Sequence, residues 1–157
     1  MKNIVIIGLT VLVLTAITSC NLINGDVPEL QVLVRPNPEE TASDMASGSE
    51  IYFGKPGDGV DEDFEFIIRN TGTADLILEE DGPDYVAIVD QNEAETPFSV
   101  LTGAAVKTIV PGEQLTVTIR FTGQSNSTRY AAKLLISSND KEHPDYYLDL
   151  VGDGDGV

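Results

Sequence analysis

Apolar and polar side chains alternate with a period of two in several short stretches of this chain. The clearest is 115–121, in which every second residue is Leu, Val, Ile or Phe and those between are Thr, Thr and Arg. Such alternation buries one row of side chains and leaves the other toward solvent, which is typical of a half-buried strand. Similar rows recur at 30–34, 130–136 and 146–150, and no helical spacing persists between them. The pattern predicts an all-β fold, an antiparallel β-sandwich of seven to nine strands.

Two apolar runs on either side of a polar turn form the centre of this predicted fold. Residues 64–68 alternate as a strand, 76–78 form a second strand core, and 70–73 read Asn-Thr-Gly-Thr between them. We expect Gly72 at positive φ and Asn70 bonded to its own backbone, so that the chain turns in a hairpin or a corner. The predicted core is Phe66, Ile68, Leu76, Val117, Ile119, Phe121, Leu134, Ile136 and Leu148. The predicted exposed residues are Glu65, Thr116, Thr118 and Lys133.

Other segments read as turns and loops. Pro111 followed by Gly112 predicts a type II turn, since Pro presets φ at the second position and Gly accepts positive φ at the third. The polar segments 36–49 and 55–63, which contain several Pro, Gly and acidic residues, are predicted to be loops.

The N-terminus carries a targeting pattern. Lys2 gives a positive start, and residues 4–17 carry no charge. This run is shorter than the roughly 20 residues that a membrane-spanning helix needs, and it fits the apolar region of a secretory signal peptide. It ends in Ile-Thr-Ser-Cys at 17–20, which resembles the lipobox of bacterial lipoproteins. The resemblance implies cleavage before Cys20 and lipidation of its sulfur. An ordinary secretory signal, with Cys20 incidental, is the alternative.

This interpretation divides the chain into a lipoprotein signal peptide at 1–19, a lipidated Cys20 with a short tether at 20–28, and a sandwich domain at 29–157. Two or more acyl chains hold a protein stably on a bilayer. Because the extended tether reaches about 20–25 Å, the domain is expected close to the membrane. The predicted location is the cell envelope, lipid-anchored to a bacterial membrane with the domain outside the cytoplasm. Asn21 favours an outer membrane where there is one.

The charge balance excludes two classes of partner. Asp and Glu number 26 against nine Lys and Arg, which gives a net charge of −17. Nucleic-acid binding needs clustered basic residues, and so does electrostatic adhesion to anionic lipid. The single Cys cannot form an internal disulfide, so the core has to hold by packing.

Four stretches of sequence, in this order and spacing, carry a resemblance to a known family. They are Phe-Ile-Ile-Arg-Asn-Thr-Gly-Thr-Ala-Asp-Leu at 66–76, Val-Pro-Gly at 110–112, Thr-Ile-Arg-Phe-Thr at 118–122, and Ile-Ser-Ser-Asn-Asp at 136–140 with Leu-Val-Gly-Asp-Gly at 150–154. The domain resembles the bacterial choice-of-anchor D domain, a relative of the Hydin and abnormal-spindle type of immunoglobulin-like domain. The resemblance implies an immunoglobulin-like sandwich, no enzyme activity, and no catalytic or binding residues to carry over. Gly123 and Lys141 stand where the family often has Pro, so these turns are expected to differ in shape.

No motif for catalysis stands out. A His-dependent triad would have to use His143, which lies beside Pro144 in a predicted turn and is expected to be an exposed turn residue. The common hydrolase, metalloprotease and phosphate-loop patterns do not occur. The glycosylation-type sequence at 126–128 is expected to be coincidental. We predict no catalytic residues, no cofactor and no small-molecule substrate.

Acidic residues cluster at 58–63, at 79–84 and at 153–155. Ca²⁺ takes about six to eight oxygen ligands from acidic loops, but the spacing here matches no EF-hand loop. The favoured interpretation is a solvated acidic surface with no metal site.

The sequence therefore favours a non-catalytic, membrane-anchored lipoprotein that acts as a protein-interaction or scaffolding module of the cell envelope. Its predicted partners are the membrane, through lipid on Cys20, and an unknown protein that docks on end loops or strand edges. One alternative is a surface adhesin-type module, against which the short tether and the lack of an internal repeat weigh. The other is a Ca-binding sandwich domain.

Overall fold

Eleven strands make up the regular structure of the described part of the chain. The computed structural model describes residues 25–79, 85–89, 91, 97–103 and 107–156. In chain order the strands are β1 (Leu30–Arg35), β2 (Ser43–Met45), β3 (Glu50–Tyr52), β4 (Asp61–Asn70), β5 (Leu76–Glu79), β6 (Ala87–Val89), β7 (Phe98–Thr102), β8 (Thr108–Ile109), β9 (Gln114–Thr122), β10 (Arg129–Ser138) and β11 (Asp145–Asp153). Within these ranges no helix is long and apolar enough to cross a membrane.

The strands form two sheets that enclose one core. The first sheet has the order β2-β1-β4-β9-β7, and the second has the order β3-β11-β10-β5-β8, with β6 also paired to β10. Short β3 runs parallel to β11, and the other pairings are antiparallel. The predicted all-β sandwich is confirmed. Several of the eleven strands have two or three residues, which is why the sequence pattern indicated fewer.

The predicted core is confirmed in full. Every one of its members is buried: Phe66, Ile68, Leu76, Val117, Ile119, Phe121, Leu134, Ile136 and Leu148. The residues predicted to be exposed are half-buried instead: Glu65, Thr116, Thr118 and Lys133. They lie in central strands, where side chains of both neighbouring strands cover their flanks. Glu65, for example, lies opposite Arg35 on one side and Thr118 on the other, and it pairs with the Arg35 guanidinium.

The turn at 70–73 is a corner between the sheets, because β4 belongs to the first sheet and β5 to the second. Asn70 bonds its own backbone as predicted, since its Oδ1 accepts the N–H of Gly72 at 3.0 Å. The expectation of positive φ at Gly72 was wrong. A Cβ there would collide with the backbone of Val27 and Glu29, so Gly72 is needed to let the N-terminal segment pass close over the corner.

Both predicted loops contain strand residues. Residues 36–49 include β2, which pairs with β1, and residues 55–63 include the first three residues of β4. The apolar alternation ends at Phe64, and Asp and Glu are poor strand formers. The ladder with β9 nevertheless continues outward to Asp61, opposite Thr122.

The type II turn at Pro111 is confirmed by its geometry. Gly112 has a φ of 81°, and the N–H of Glu113 donates to the carbonyl of Val110 at 3.0 Å. We expect Gly112→Val to destabilise the protein by about 1–3 kcal/mol, because a β-branched residue is strained at positive φ. Space is not the reason, since a Cβ at Gly112 would meet no atom within 4 Å. Urea unfolding of this variant and of Glu113→Val, which places the same side chain one residue later, measures the effect. Equal stability of the two variants would contradict it.

Candidate functional site

An open groove runs along the seam where the edge strands β2 and β3 of the two sheets face each other. The larger part of the groove, about 500 Å³, lies at the end of the sandwich away from the corner. A second part of about 240 Å³ adjoins it. Both volumes are lined by Pro36, Glu40, Tyr52 and Phe64. We call this the seam groove.

The floor of the seam groove is the edge of the hydrophobic core. Val34, Ile51, Phe53 and Phe64 line it, and all four are buried. The rings of Phe53 and Phe64 stack with centroids 4.2 Å apart. Met45 of β2 is partly buried against the same cluster. The groove therefore offers an apolar strip that is narrow and backed by a packed core.

The rim of the seam groove is polar and mainly acidic. Glu40 and Glu62 line it and form no ion pair with any described residue, and Lys55 adds one positive charge. Glu50, at the inner end, lies 3.3 Å from the Arg129 guanidinium. The uncompensated rim charge is negative, which favours a ligand with basic groups.

The backbone of β3 is open toward the seam groove. The carbonyl of Ser49 accepts the N–H of Asp149 at 2.9 Å, and the N–H of Phe53 donates to the carbonyl of Val151 at 2.8 Å. In a parallel pairing, alternate residues direct their N–H and C=O groups to opposite sides. Those of Tyr52 therefore point away from β11, and the described strands include none beyond β3 on that side. Strand edges of this kind are templates for a further strand.

The predicted lipidation site, Cys20, lies outside the described residues and stays a prediction. The acidic residues 80–84, which make up most of the second acidic cluster, also lie outside them.

Three acids of the cluster at 58–63 lie in a strand, Asp61, Glu62 and Asp63 of β4, which corrects the prediction of a loop. Arg120 of β9 pairs with two of them: its guanidinium is 2.6 Å from the Asp61 carboxylate and 2.7 Å from that of Asp63. The hydrogen bond from Arg120 lowers the pKa of Asp63, although partial burial opposes the shift. Among the described residues no group of three or more His, Cys, Asp or Glu is arranged to hold a metal ion.

The acids near the C-terminus accept hydrogen bonds from residues of β3 and of the segment between β3 and β4. The hydroxyl of Tyr52 donates to Asp153 at 2.8 Å, and this hydrogen bond raises the pKa of Tyr52. Asp155 accepts the N–H of Asp58 at 3.2 Å. These contacts fix the outer edge of the seam groove.

His143 is exposed, as predicted, and its ring nitrogen Nδ1 lies 3.7 Å from Asp140. Asp140 is only 3% exposed, and its carboxylate accepts the N–H groups of Leu30 at 2.8 Å and of Glu142 at 2.9 Å. Burial raises the pKa of this carboxyl, but hydrogen bonds from the backbone of Leu30, Glu142 and His143, and the nearby His143 ring, outweigh burial and leave it below its usual value. Asp140 thus ties the start of β1 to the β10–β11 turn.

We expect Asp140→Asn to destabilise the protein by about 1–3 kcal/mol at pH 7, because its amide NH₂ would face a backbone donor. A carboxyl whose pKa is lower in the folded state contributes stability above its unfolded pKa of about 3.9 and loses that contribution as pH falls through the folded pKa. The stability gap between wild type and variant should therefore close below about pH 4. Urea unfolding at pH 7 and pH 3 measures it, and a gap that is unchanged at pH 3 would contradict the expectation.

Comparison with known proteins settles the type of domain. Residues 48–153 match the family model of the HYDIN/CFA65/VesB-like, Ig-like domain. The chain belongs to this family. Immunoglobulin-like domains of the HYDIN/CFA65/VesB-like family are typically non-catalytic, and the fold indicates a protein-interaction or adhesin-type module. No curated protein matches the chain.

Solved structures resemble the chain at low sequence identity. A protein of unknown function from Porphyromonas gingivalis W83 is 18% identical with a TM-score of 0.50, covering 85% of this chain and 67% of that one. The PapD-like domain 7 of human CEP192 is 15% identical with a TM-score of 0.49, covering 80% and 86%. The secreted serine protease VesC from Vibrio cholerae is 17% identical with a TM-score of 0.46, covering 66% of this chain and 21% of the protease.

Sequence reasoning missed the seam groove. Its lining comes from the segment after β1, from β2 and from β3, and no spacing in the sequence links these parts. The one local signal was the pair of prolines at 36 and 38, which marked the end of β1 but not what lies beside it.

Proposed function

We propose that this HYDIN/CFA65/VesB-like domain, of the narrower choice-of-anchor D type, is carried by a non-catalytic lipoprotein that docks a partner protein at a bacterial cell envelope. The observation that carries the docking function is the seam groove. There an apolar floor, an acidic rim and an unpaired strand edge meet on a rigid sandwich. Sites of this composition suit polypeptide partners, because a strand edge supplies backbone hydrogen bonds and pockets supply side-chain selection.

The membrane anchor is supported by the sequence at 17–20 and by where the chain enters the domain. The carbonyl of Val27 accepts the N–H groups of Thr73 and Ala74 at 2.8 and 3.1 Å, so the N-terminal segment is fixed against the corner. The tether between Cys20 and this fixed point reaches about 20 Å when extended. The corner end of the sandwich would then face the membrane.

The anchor is tested by metabolic labelling with palmitate. We expect wild type to incorporate label and to fractionate with membranes, and Cys20→Ser to lose both properties because the thiol is the acyl acceptor. Ser127→Ala, an exposed change far from the signal, should label like wild type. Equal labelling of wild type and Cys20→Ser would show that the chain is not a lipoprotein.

A further inference from the structure

We propose that the seam groove binds an extended segment of a partner protein by adding it as a strand to β3, and that this segment alternates apolar residues with Lys or Arg. The inference rests on the proposed docking function and adds the chemistry of the partner. The strand edge indicates how the segment binds, the groove floor indicates its apolar residues, and the rim charge indicates its basic residues.

The backbone of β3 sets the mode of binding. Tyr52 presents its N–H and C=O groups away from β11, and an extended segment beside β3 would pair with them. The Tyr52 hydroxyl donates to Asp153 of β11 at 2.8 Å, so the side chain lies toward β11 and not over the open edge. An added strand would lie about 4.8 Å from β3, within the seam.

The floor of the groove determines which residues of the bound segment are apolar. Successive side chains of an added strand point to opposite faces, so every second one would point toward Phe53, Phe64 and Met45. Because the floor is a narrow strip rather than a deep cavity, it suits short aliphatic side chains.

The rim of the groove determines which charge the bound segment carries. Side chains between the apolar ones would point outward past Glu40, which lines both volumes at the rim. Glu62 lies on the same face of β4 as Phe64, so it would meet the residue at the end of the bound segment. Neither carboxylate has an ion-pair partner among the described residues. A basic residue there would neutralise an exposed carboxylate and add charge-assisted hydrogen bonds. Acidic segments would be repelled, which gives selectivity.

The groove is also accessible in the anchored protein. β4 runs from Glu62 beside the seam groove to Asn70 at the corner, where the N-terminal segment enters. At about 3.3 Å per strand residue, the groove lies about 25 Å from the corner. On a short tether this end of the sandwich would face away from the bilayer.

Fluorescence anisotropy with three short peptides on the full chain in detergent micelles tests the proposal. One peptide alternates Val and Lys, one alternates Val and Glu, and the third is the Val-Lys peptide with backbone N-methyl groups at every residue. We expect the first to bind and the other two to bind at least about tenfold more weakly. In addition, hydrogen exchange at the Tyr52 amide should slow when the first peptide is bound.

Paired charge reversals separate the groove from the general negative charge of the protein. Glu40→Lys with Glu62→Lys should weaken binding of the Val-Lys peptide by about tenfold or more. Glu113→Lys with Glu142→Lys makes the same change in net charge at the corner end. It should have little effect, since charges are screened over about 8 Å at physiological salt.

Three results would overturn the proposal: no binding of the Val-Lys peptide, equal binding of its N-methylated form, or equal weakening by both charge reversals. These results would leave the proposed membrane anchor standing, because palmitate labelling of Cys20 does not depend on the groove. Conversely, an envelope partner that stays bound to the Glu40→Lys, Glu62→Lys protein would support docking and reject the groove as its site.

Discussion

Phe121→Ala is expected to lower the free energy of unfolding by about 3–5 kcal/mol, as other truncations of buried aromatic residues do. Phe121 is fully buried, and its ring lies 4.9 Å from that of Phe98 and 6.2 Å from that of Tyr130 between centroids. It also packs directly over Gly152 of the opposite sheet, where a Cβ would meet the ring. Since Gly152 has no side chain that could move into the space, the cavity would collapse poorly.

Tyr147→Ala is the control for Phe121→Ala. It removes an aromatic ring that is 40% exposed on the outer face of β11, and we expect a loss of about 1 kcal/mol or less. Urea unfolding monitored by circular dichroism compares the two. A loss below about 1 kcal/mol for Phe121→Ala would mean that this ring does not join the two sheets as described.

The second large effect is expected at Asn70, a fully buried polar residue in the corner. Its Nδ2 donates to the carbonyls of Ala74 and Ile109, both at 2.8 Å, and its Oδ1 accepts the N–H of Gly72. Asn70→Ala leaves these buried groups without partners, and each unpaired group costs about 1–3 kcal/mol. We therefore expect a loss of at least about 3 kcal/mol, measured by urea unfolding.

Asn126→Ala is the matched control for Asn70→Ala. Asn126 makes a similar local bond, in which Oδ1 accepts the N–H of Thr128 at 2.9 Å, but it is exposed and water can replace its bonds. We expect a loss of about 1 kcal/mol or less. If both Ala variants lose the same stability, burial is not what makes the corner Asn important.

Asn70→Asp tests the donor role separately. The carboxylate that this substitution introduces keeps the acceptor for Gly72 but places negative charge against the carbonyls of Ala74 and Ile109. Burial and these carbonyls would raise the pKa of the new carboxyl above its unfolded value, and its protonated form can donate a hydrogen bond to one of them. The variant should therefore gain stability relative to Asn70→Ala as pH falls from about 7 toward 4. A pH-independent difference between the two variants in urea unfolding would contradict the assigned hydrogen bonds.

Residues in the corner show how far local sequence reasoning reaches. The Asn70 side-chain bond to Gly72 was predictable, because it joins neighbours in the chain and needs no other element. The conformation of Gly72 was not, because what requires glycine there is the backbone of Val27 passing overhead. For the same reason Asp61 and Asp63 looked like loop acids until β9 brought Arg120 beside them.

The sequence by itself determined the all-β class, the buried rows of the long strands and the turn at Gly112, since each depends on alternation or on backbone preference within a few residues. The tertiary structure alone decided that β4 and β5 belong to different sheets, that β3 runs parallel to β11, and that β2 and β3 leave a groove between them. Alternation states which face of a strand is buried. It does not state which strand edges meet, because that choice depends on how all the buried rows pack together in one core.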